Sequence, residues 1–392
     1  MHDVVVIGAG PAGSTTARLL AERGYDVVVL EEHREVGSPV HCTGLLGAEV
    51  FDEFDLPRSL ILAEAGVARF WGATGRSVPL RSDRVNATVI DRAALDRHLA
   101  DRAVAAGAVM LPGTRAEQVN VGPTGVLVTI RDADRPIEAR ACVLACGASY
   151  RFHQSLGLGM PKVFLQSAQV ETRFPEMPEI EVQFGREVAP SGFAWMVPFR
   201  RGNEDYARIG LMSETRSADR FAAFITSLSR RAGIDPAAIP PPRQKMLPLG
   251  PVRKSFSDRV LAVGDAAGLV KPTTGGGIYY GMLSGVFASE VLGDALRKDR
   301  LEARALRHYE ARWRQRLGQE IRVGLAFRHI AARLSDESID ELIDLARLES
   351  IAPLIQQTAS FNWHRKVAVA LLGHPSVRRI VFRTWARSVG SL

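Results

Sequence analysis

The chain has 392 residues, of which 46% are hydrophobic and 24% charged, so it is long enough for two packed domains and too apolar to be disordered. Its three cysteines lack CxxC spacing and its nine histidines show no metal-binding pattern, so we expect neither a disulfide framework nor a metal site. The N-terminus has no signal-peptide pattern, and no run of about 18 apolar residues occurs, so we expect a cytoplasmic protein.

The N-terminal segment has the pattern of a strand, a helix and a second strand. Residues 3–7 and 26–30 are short apolar runs, residues 11–23 have helical composition, and Gly24 is a typical helix stop. Such a βαβ unit is the usual opening of a Rossmann-type sheet that binds a dinucleotide.

A GxGxxG motif joins the first strand to the helix. Gly8 permits the tight turn, Gly10 lets the backbone approach a pyrophosphate, and Gly13 lets helix and strand pack closely. The helix N-terminus at Ala12 offers N–H groups to the phosphates. Glu31 ends the second strand, where its carboxylate can bind both ribose hydroxyls and would repel a 2′-phosphate. We predict a dinucleotide site that excludes NADP; the alternative is a glycine-rich turn in an ordinary α/β sheet.

The middle of the chain mixes helix and strand patterns. Residues 89–106 have helical spacing, and residues 119–145 have the pattern of short strands that end in a buried one. Residues 162–212 are mainly strand-like, and a strand over 259–263 returns to the first sheet. Beyond Gly275 we expect an almost wholly helical region that contains one long amphipathic helix.

A second glycine-rich segment distinguishes FAD from NAD. Asp265 follows a strand, where its carboxylate can bind the ribitol hydroxyls of FAD. Gly276, Gly277 and Ile278 then open a helix whose N-terminus can meet the flavin N1 and C2 carbonyl, where reduction places negative charge. Together the two glycine-rich segments predict one tightly bound FAD.

With these motifs the sequence resembles the geranylgeranyl reductase family, within the p-hydroxybenzoate hydroxylase-like flavoprotein superfamily. The resemblance covers nearly the whole chain and rests on residues 8–13, 31–47, 91–96, 190–210 and 264–281. It implies further FAD contacts from Cys42, Thr43, Gly44, Arg92 and Ala116. Arg92 facing a pyrophosphate is chemically apt, although an arginine there can also cap a solvated helix.

The predicted fold is α/β: a Rossmann-type FAD-binding domain, a second, mainly β substrate domain and a C-terminal helical region with a basic tail. The predicted boundaries are 1–50, 85–150 and 255–300 for the FAD-binding domain, 51–84 and 151–254 for the substrate domain, and 301–392 for the helical region.

Two residues are candidates for a catalytic role. The resemblance implies that Cys42 lies near the flavin ring and is linked to reductase activity, whereas a cysteine beside a glycine turn can also be a small packed residue. Tyr279, with its neighbour Tyr280, follows the flavin-facing glycines and is a candidate proton donor, with packing as the alternative. Cys142 and Cys146 lie in and after a buried strand, so we expect them in the core.

The stretch Phe193-Ala194-Trp195-Met196-Val197-Pro198 has the pattern of a core strand. In the family it lines the tunnel for an isoprenoid chain, so the resemblance assigns Phe193, Trp195 and Pro198 to substrate binding, and an apolar substrate needs such a wall. The family often continues with lysine and glycine, whereas this chain has Phe199-Arg200-Arg201-Gly202. Flavin halogenases carry a similar tryptophan–proline signature.

The net charge of +7 is concentrated in the tail, since residues 360–392 contain six basic residues and no acid. Apolar and aromatic residues are interleaved with this charge, which is typical of a surface helix on anionic lipid. The segment could then attach the protein to the inner face of the cell membrane. The alternative is a helix packed on its own protein with a solvated basic face.

The single dinucleotide motif leaves no second Rossmann domain for nicotinamide, so the electron donor, NAD(P)H or ferredoxin, must dock transiently. The resemblance implies a reductase that saturates carbon–carbon double bonds of an isoprenoid chain, in a geranylgeranyl lipid or a polyprenyl quinone such as menaquinone. The alternatives are an FAD monooxygenase or halogenase on the same scaffold, and a prenyl-binding escort protein without a catalytic flavin. We expect no nucleic-acid partner.

Overall fold

The computed structural model describes residues 1–81, 87–175, 177–347 and 351–389, and for residues 385–389 only the backbone. The chain forms two compact units, each assembled from three separate segments. The first unit contains residues 1–40, 92–163 and 248–321, and the second contains residues 41–91, 164–247 and 322–392.

The β-strands of the described residues, numbered in chain order, are β1 (His2–Ile7), β2 (Val27–Glu31), β3 (Leu45–Gly47), β4 (Ile61–Ala65), β5 (Val67–Trp71), β6 (Ser77–Arg81), β7 (Ala87–Ile90), β8 (Val109–Pro112), β9 (Ala116–Val121), β10 (Val126–Ile130), β11 (Ile137–Leu144), β12 (Phe164–Arg173), β13 (Ile180–Gln183), β14 (Phe193–Arg201), β15 (Glu204–Ser213), β16 (Arg243–Pro248), β17 (Phe256–Ser257) and β18 (Val260–Ala262). The α-helices are α1 (Pro11–Ala21), α2 (Glu49–Glu53), α3 (Arg92–Ala105), α4 (Ser217–Ala232), α5 (Ile278–Arg297), α6 (Ala303–Ala331), α7 (Asp336–Arg347), α8 (Ala352–Thr358), α9 (Arg365–Gly373) and α10 (Pro375–Val389).

The first unit is built around an eight-stranded sheet with the order β17-β18-β11-β1-β2-β8, to which the β9–β10 hairpin adds beside β11. Its centre is parallel, with Val4 opposite Val27 and Val5 opposite Cys142. The central strands are apolar along their length because a parallel sheet is covered on both faces. Helix α1 packs against α3 and α5.

The second unit is built around a seven-stranded sheet with the order β16-β12-β15-β14-β13-β5-β6, and β3, β7 and β4 form a small separate sheet. Strands β12, β15 and β14 are antiparallel neighbours. Helix α4 covers one face of this sheet, where Phe221, Phe224 and Leu228 pack against Met196 and Ile209. Every second side chain along these strands is therefore apolar and points to α4.

The C-terminal helices pack on this unit. Val377 of α10 lies in a core cluster with Ile343 of α7 and Val78 of β6, and Leu371 of α9 packs against the same cluster. Among the residues that the structure describes, no helix is both long enough and apolar enough to span a bilayer.

The predicted α/β fold with a C-terminal helical region is confirmed, as are the βαβ opening and the long helix α6. The predicted helix over 89–106 was wrong at its start. Val89 and Ile90 belong to β7, and α3 begins only at Arg92. Both residues are buried in β7, which pairs with β3 and β4. Sheet pairing therefore overrides the helical spacing of the apolar residues.

Candidate functional site

In the first unit, β1 runs into α1 through a turn that only glycine can form. Gly8 has a φ of 108°, and a Cβ there would collide with the carbonyl oxygen of Ala145. A Cβ on Gly13 would collide with the carbonyl oxygen of Gly8. Beside Gly10, by contrast, no described atom lies within 4 Å of where a Cβ would stand. The turn is thus closed on its protein side and leaves space at the position predicted to face a pyrophosphate.

Helix α1 begins directly at this turn, with Gly10 at its N-cap and Pro11 in its first turn. Within the described part of the chain, no side chain caps this helix. The main-chain N–H groups around Ala12 are therefore directed towards the space beside Gly10, together with the positive end of the helix dipole. This arrangement suits a phosphate.

Glu31 lies beside the same turn and is only 9% exposed. Its Oε2 accepts a hydrogen bond from the Ala9 N–H at 2.9 Å, and its Oε1 accepts one from the His33 N–H at 3.0 Å. The contact with Ala9 was not predicted from the sequence, since Ala9 is a variable position of the motif. It places the carboxylate at the end of β2 next to the turn between β1 and α1, as the predicted role of a ribose ligand requires.

The second glycine-rich segment forms a 3-10 turn, Gly264–Ala267, and then the N-terminus of α5. A Cβ on Gly277 would lie 2.5 Å from Oδ1 of Asp265 and 3.2 Å from Cγ1 of Val270. The glycine therefore lets the Asp265 carboxylate lie against the first turn of α5. Gly276 and Ile278 flank this point, and Ile278 is the first residue of the helix.

The two predicted FAD segments meet where α1 packs on α5. A Cβ on Gly264 would lie 2.9 Å from the Cβ of Ala12, and a Cβ on Gly285 would lie 2.8 Å from the carbonyl oxygen of Ala12. Small residues at these points let the two helices approach closely. The structure therefore brings the turn between β1 and α1 and the Asp265 segment together in one unit.

Two aromatic side chains that the sequence did not indicate hold the Asp265 segment. The Tyr150 hydroxyl donates to the carbonyl oxygen of Asp265 at 2.7 Å, and Nε2 of the fully buried His153 donates to the carbonyl oxygen of Ala266 at 2.7 Å. Burial raises the pKa of Tyr150 and lowers that of His153. Both side chains are therefore neutral near pH 7 and fix the segment without adding charge.

The remaining site residues of the first unit lie on three different elements. Arg92, the first residue of α3, donates from Nη2 to Oδ2 of Asp96 at 2.8 Å. Ala116 is buried at the start of β9. Tyr279 is only 3% exposed in the first turn of α5, and burial raises the pKa of its neighbour Tyr280.

Cys42, Thr43 and Gly44 form a turn in the second unit. The Sγ of Cys42 is half-buried and accepts a hydrogen bond from the Gly44 N–H at 3.3 Å. The Thr43 hydroxyl donates to Oε1 of Gln169 on β12 at 3.1 Å. All three cysteines are free thiols; Cys142 is fully buried in the core as expected, and Cys146 is only half-buried.

Arg208 fastens this turn to the seven-stranded sheet. Its side chain is 1% exposed, and its Nη1 donates to the carbonyl oxygens of Thr43 and Ile90, each at 2.9 Å. Its Nε donates to Oε2 of Glu171 at 2.8 Å, and its guanidinium lies 4.7 Å from the ring centroid of Phe199. Sequence reasoning missed this residue, although a charged residue inside an otherwise apolar strand is a signal.

We call the sheet face opposite α4 the aromatic face, because it bears Phe193 and Trp195, whose ring centroids are 5.8 Å apart. A Cβ on Gly210, opposite Trp195 in β15, would lie 2.6 Å from the indole, so the glycine lets the indole lie flat on the sheet. Pro198 is even-numbered in the same regular strand, so its side chain lies on the α4 face. The structure thus groups Phe193 and Trp195 and separates Pro198 from them.

The residues of the first unit fit FAD. A cradle without Cβ atoms at Gly8, Gly10 and Gly13, a carboxylate at the end of β2 and a second carboxylate at the N-terminus of α5 match a pyrophosphate, a ribose and a ribitol. In the second unit, the residues predicted to contact FAD are Cys42, Thr43 and Gly44.

Comparison with known proteins gives the same cofactor. A family model described as an FAD binding domain matches residues 1–322. Digeranylgeranylglycerophospholipid reductase 2 of Methanothermobacter thermautotrophicus is 30% identical over 374 residues, which cover 90% of this chain and 95% of the relative. The prediction of FAD as the cofactor is confirmed.

Two solved structures share the fold. The crystal structure of a geranylgeranyl bacteriochlorophyll reductase-like protein from Thermoplasma acidophilum has a TM-score of 0.82 and 24% identity, covering 98% of this chain and 99% of that one. A mutant of the halogenase PltM in complex with FAD has a TM-score of 0.65 and 16% identity, covering 97% of this chain and 85% of that one. The FAD binding domain model matches residues 1–322, and the reductase relative matches nine-tenths of this chain. The protein therefore belongs to the geranylgeranyl reductase family of FAD-dependent oxidoreductases.

Proposed function

We propose that the protein is a reductase that saturates carbon–carbon double bonds in the isoprenoid chains of a geranylgeranyl lipid. The observation that carries the proposal is the joining of two FAD segments at the α1–α5 contact, in a chain whose relative is named as a digeranylgeranylglycerophospholipid reductase. A polyprenyl quinone such as menaquinone is the other substrate class of the same chemistry.

When bound and reduced, FAD would supply the hydride for one alkene carbon, and the other carbon would take up a proton. The residues of this chain would hold the cofactor for that step. Gly10 and the N-terminus of α1 would bind the pyrophosphate, Glu31 the ribose and Asp265 the ribitol. No side chain of the described residues caps α5 at Gly277, so its main-chain N–H groups would be offered to developing negative charge.

The aromatic face supports an apolar chain as the substrate. Phe184 and Phe193 have ring centroids 5.9 Å apart, and the row continues to Trp195; at its other end Phe70 packs against the cluster of Val78 and Ile343. Trp195 is 8% exposed, and within the described residues its indole N–H has no hydrogen-bond partner. An isoprenoid chain bound along this row would be kept out of water, and its position would be fixed by shape.

Cys42 and Tyr279 remain the proposed catalytic residues. The thiol of Cys42 is held by the Gly44 N–H, and the Arg208 clamp fixes the turn around it. Tyr279 is a proton-donor candidate from the first turn of α5. The variants Cys42→Ser and Tyr279→Phe separate a catalytic role from a packing role. A catalytic residue should lower lipid reduction while the FAD content of the protein stays unchanged.

The C-terminal helices carry the proposed contact with an anionic membrane surface. Arg378, Arg379 and Phe382 of α10 are exposed, and so is Val369 of α9, whereas Val377 and Ile380 are buried against the protein. The tail thus combines packing on its own unit with an exposed basic and apolar surface. Residues 390–392 lie outside the described residues, as do the side chains of Trp385 and Arg387.

The test of the proposed function is anaerobic incubation of the FAD-loaded protein with dithionite and either a geranylgeranyl phospholipid or menaquinone. Mass spectrometry of the lipid should detect gains of two hydrogens or multiples of two. If no isoprenoid lipid that is tested gains hydrogen, the proposal is refuted. Gain of an oxygen atom under air, with NAD(P)H as the donor, would instead favour a monooxygenase, and a colourless purified protein would favour an escort protein.

A further inference from the structure

The aromatic face of the second unit ends in a basic edge. Within β16, Oε1 of Gln244 accepts a hydrogen bond from the Ser217 hydroxyl at 3.5 Å, so Gln244 points to α4. Because side chains alternate along a strand, Arg243 and Lys245 point to the aromatic face. Both are exposed. Two positive side chains therefore stand side by side at the edge strand of that face.

His41 lies close to these two charges. Its pKa is lowered to about 4, first because the ring is buried and then because the charges of Lys245 and Arg243 disfavour protonation. Nδ1 of His41 is enclosed, and among the described residues it has no hydrogen-bond partner. A neutral imidazole with an unused ring nitrogen thus adjoins two cations.

The turn that follows His41 is fixed on the same face. Thr43 donates to Gln169 on β12, the strand hydrogen-bonded to β16, and Arg208 on β15 donates to the Thr43 carbonyl. His41 is therefore attached to a rigid turn rather than to a free segment. The positions of His41 and of the basic edge are both set by the one sheet.

Across the sheet the polarity of the aromatic face changes from cationic to apolar. The strand order runs β16, β12, β15, β14, so the basic edge and Trp195 are three strands apart, which is about 14 Å at the usual strand spacing. Arg208 and Glu171, between them, neutralise each other through a 2.8 Å contact. A ligand that fits this sequence of surfaces has an anionic end and a long apolar end.

We propose that His41, Arg243 and Lys245 bind the phosphate group of the lipid substrate, with the isoprenoid chain extending over the aromatic face towards Trp195. Arginine and lysine are the residues that bind phosphate oxygens, and the imidazole can add one hydrogen bond through Nε2, the ring nitrogen that is not enclosed. The assignment rests on the proposed function and narrows it, because it favours a phosphate-bearing lipid over a quinone, whose head group carries no anion.

The decisive comparison is between a geranylgeranyl glycerophospholipid and the same lipid without its phosphate. For the double variant Arg243→Gln/Lys245→Gln, KM for the phospholipid should rise about tenfold or more, as expected for loss of charged hydrogen bonds. The kcat and the KM for the phosphate-free lipid should stay unchanged. The matched control is Arg304→Gln/Arg307→Gln, which removes two exposed charges from α6. An equal rise in KM for both lipids, or an equal rise in the control, would overturn the assignment.

Direct binding makes the test independent of turnover. Calorimetry on the FAD-loaded protein should give tighter binding of geranylgeranyl phosphate than of geranylgeraniol, and the double variant should abolish the difference. Inorganic phosphate should compete only weakly; competition as strong as that of geranylgeranyl phosphate would indicate a site for free phosphate and overturn the lipid assignment. If no lipid is reduced but the phosphate-dependent binding is lost in the variant, the site stands and the reductase proposal fails. If the parent and all variants reduce the phospholipid with the same KM, the reductase proposal stands and the proposed phosphate site is refuted.

Discussion

Nη1 of Arg208 lies 2.9 Å from the carbonyl oxygen of Thr43, and it is this contact that ties the Cys42 turn to the central sheet of the second unit. The same guanidinium also serves Ile90 and Glu171, while its plane rests on Phe199. One buried side chain therefore joins β15, β12, β7 and the turn. A buried arginine is costly unless every donor is used, which explains why so many contacts converge on it.

Substitution Arg208→Gln should destabilise the protein strongly. It leaves the carbonyl oxygens of Thr43 and Ile90 without their donor and the Glu171 carboxylate without its buried partner, at an expected loss of about 3 kcal/mol in the free energy of unfolding. Urea unfolding measures this. The control is Arg173→Gln, which removes an exposed arginine from β12 and should change the unfolding midpoint little. Equal effects of the two variants would contradict the role of Arg208.

Substitution Gly277→Ala should weaken FAD binding. The added Cβ would stand 2.5 Å from Oδ1 of Asp265, so the carboxylate must leave the first turn of α5. We expect about a tenfold rise in the dissociation constant of FAD, equivalent to about 1.4 kcal/mol. Flavin fluorescence on titration of the apoprotein measures it.

The matched control is Gly318→Ala in α6, where the nearest atom to the new Cβ is that of Arg314 at 3.7 Å, an ordinary contact. Alanine in a helix interior is favoured over glycine, so this variant should keep its FAD affinity and gain a little stability. Unchanged FAD affinity in Gly277→Ala would remove Asp265 from the proposed site.

The low pKa of His41, about 4, predicts a pH dependence of stability. An unfolded histidine takes up a proton near pH 6.5, whereas folded His41 resists protonation until about pH 4. Its contribution to the free energy of unfolding is therefore complete above pH 6.5 and is lost progressively as the pH falls towards 4.

Substitution His41→Asn removes this titration. The difference in unfolding free energy, variant minus parent, should rise in favour of the variant as the pH is lowered from 6.5 to 4. Urea unfolding at a series of pH values measures it. A difference that stays constant over this range would show that folded His41 titrates normally.

The exposed surface of α10 should bind anionic vesicles. The variant Arg378→Gln/Arg379→Gln, which removes two exposed charges, should reduce flotation with vesicles that contain anionic lipid, by about 1 kcal/mol for each charge near the surface. Point variants are preferable to deletion of residues 360–392, because Val377 and Ile380 are buried in the second unit. The control Arg304→Gln/Arg307→Gln should float as the parent does. Equal flotation of parent and variant would leave the tail as a packed helical region only.

The first unit was largely predictable from the sequence. Gly8, Gly13 and Gly277 stand where a Cβ would collide with the backbone or with the Asp265 carboxylate, so their residue type records the local geometry directly. Glu31 ends β2 and Asp265 follows β18, and the carboxyl ends of parallel strands meet at one edge of the sheet. Residue type and motif spacing therefore suffice to identify these positions in the sequence.

The second unit was less predictable, because its site depends on long-range pairing. Arg208 and Thr43 are 165 positions apart, and Arg243 and Lys245 adjoin His41 only because β16 pairs with β12. Pro198 looked equivalent to Trp195 in the motif, yet strand alternation places it on the opposite face. Strand order and register, which the linear pattern does not contain, decide these contacts.

A single turnover of the enzyme-bound flavin tests the proposed reductase activity without a continuous supply of reductant. The holoprotein is reduced with one equivalent of dithionite under anaerobic conditions, freed of excess reductant and mixed with a geranylgeranyl phospholipid. If the protein is an isoprenoid reductase, the oxidised-flavin absorbance should return without oxygen, and one double bond should be saturated for each flavin reoxidised. A flavin that stays reduced until oxygen is admitted, with the lipid unchanged in mass, would contradict it.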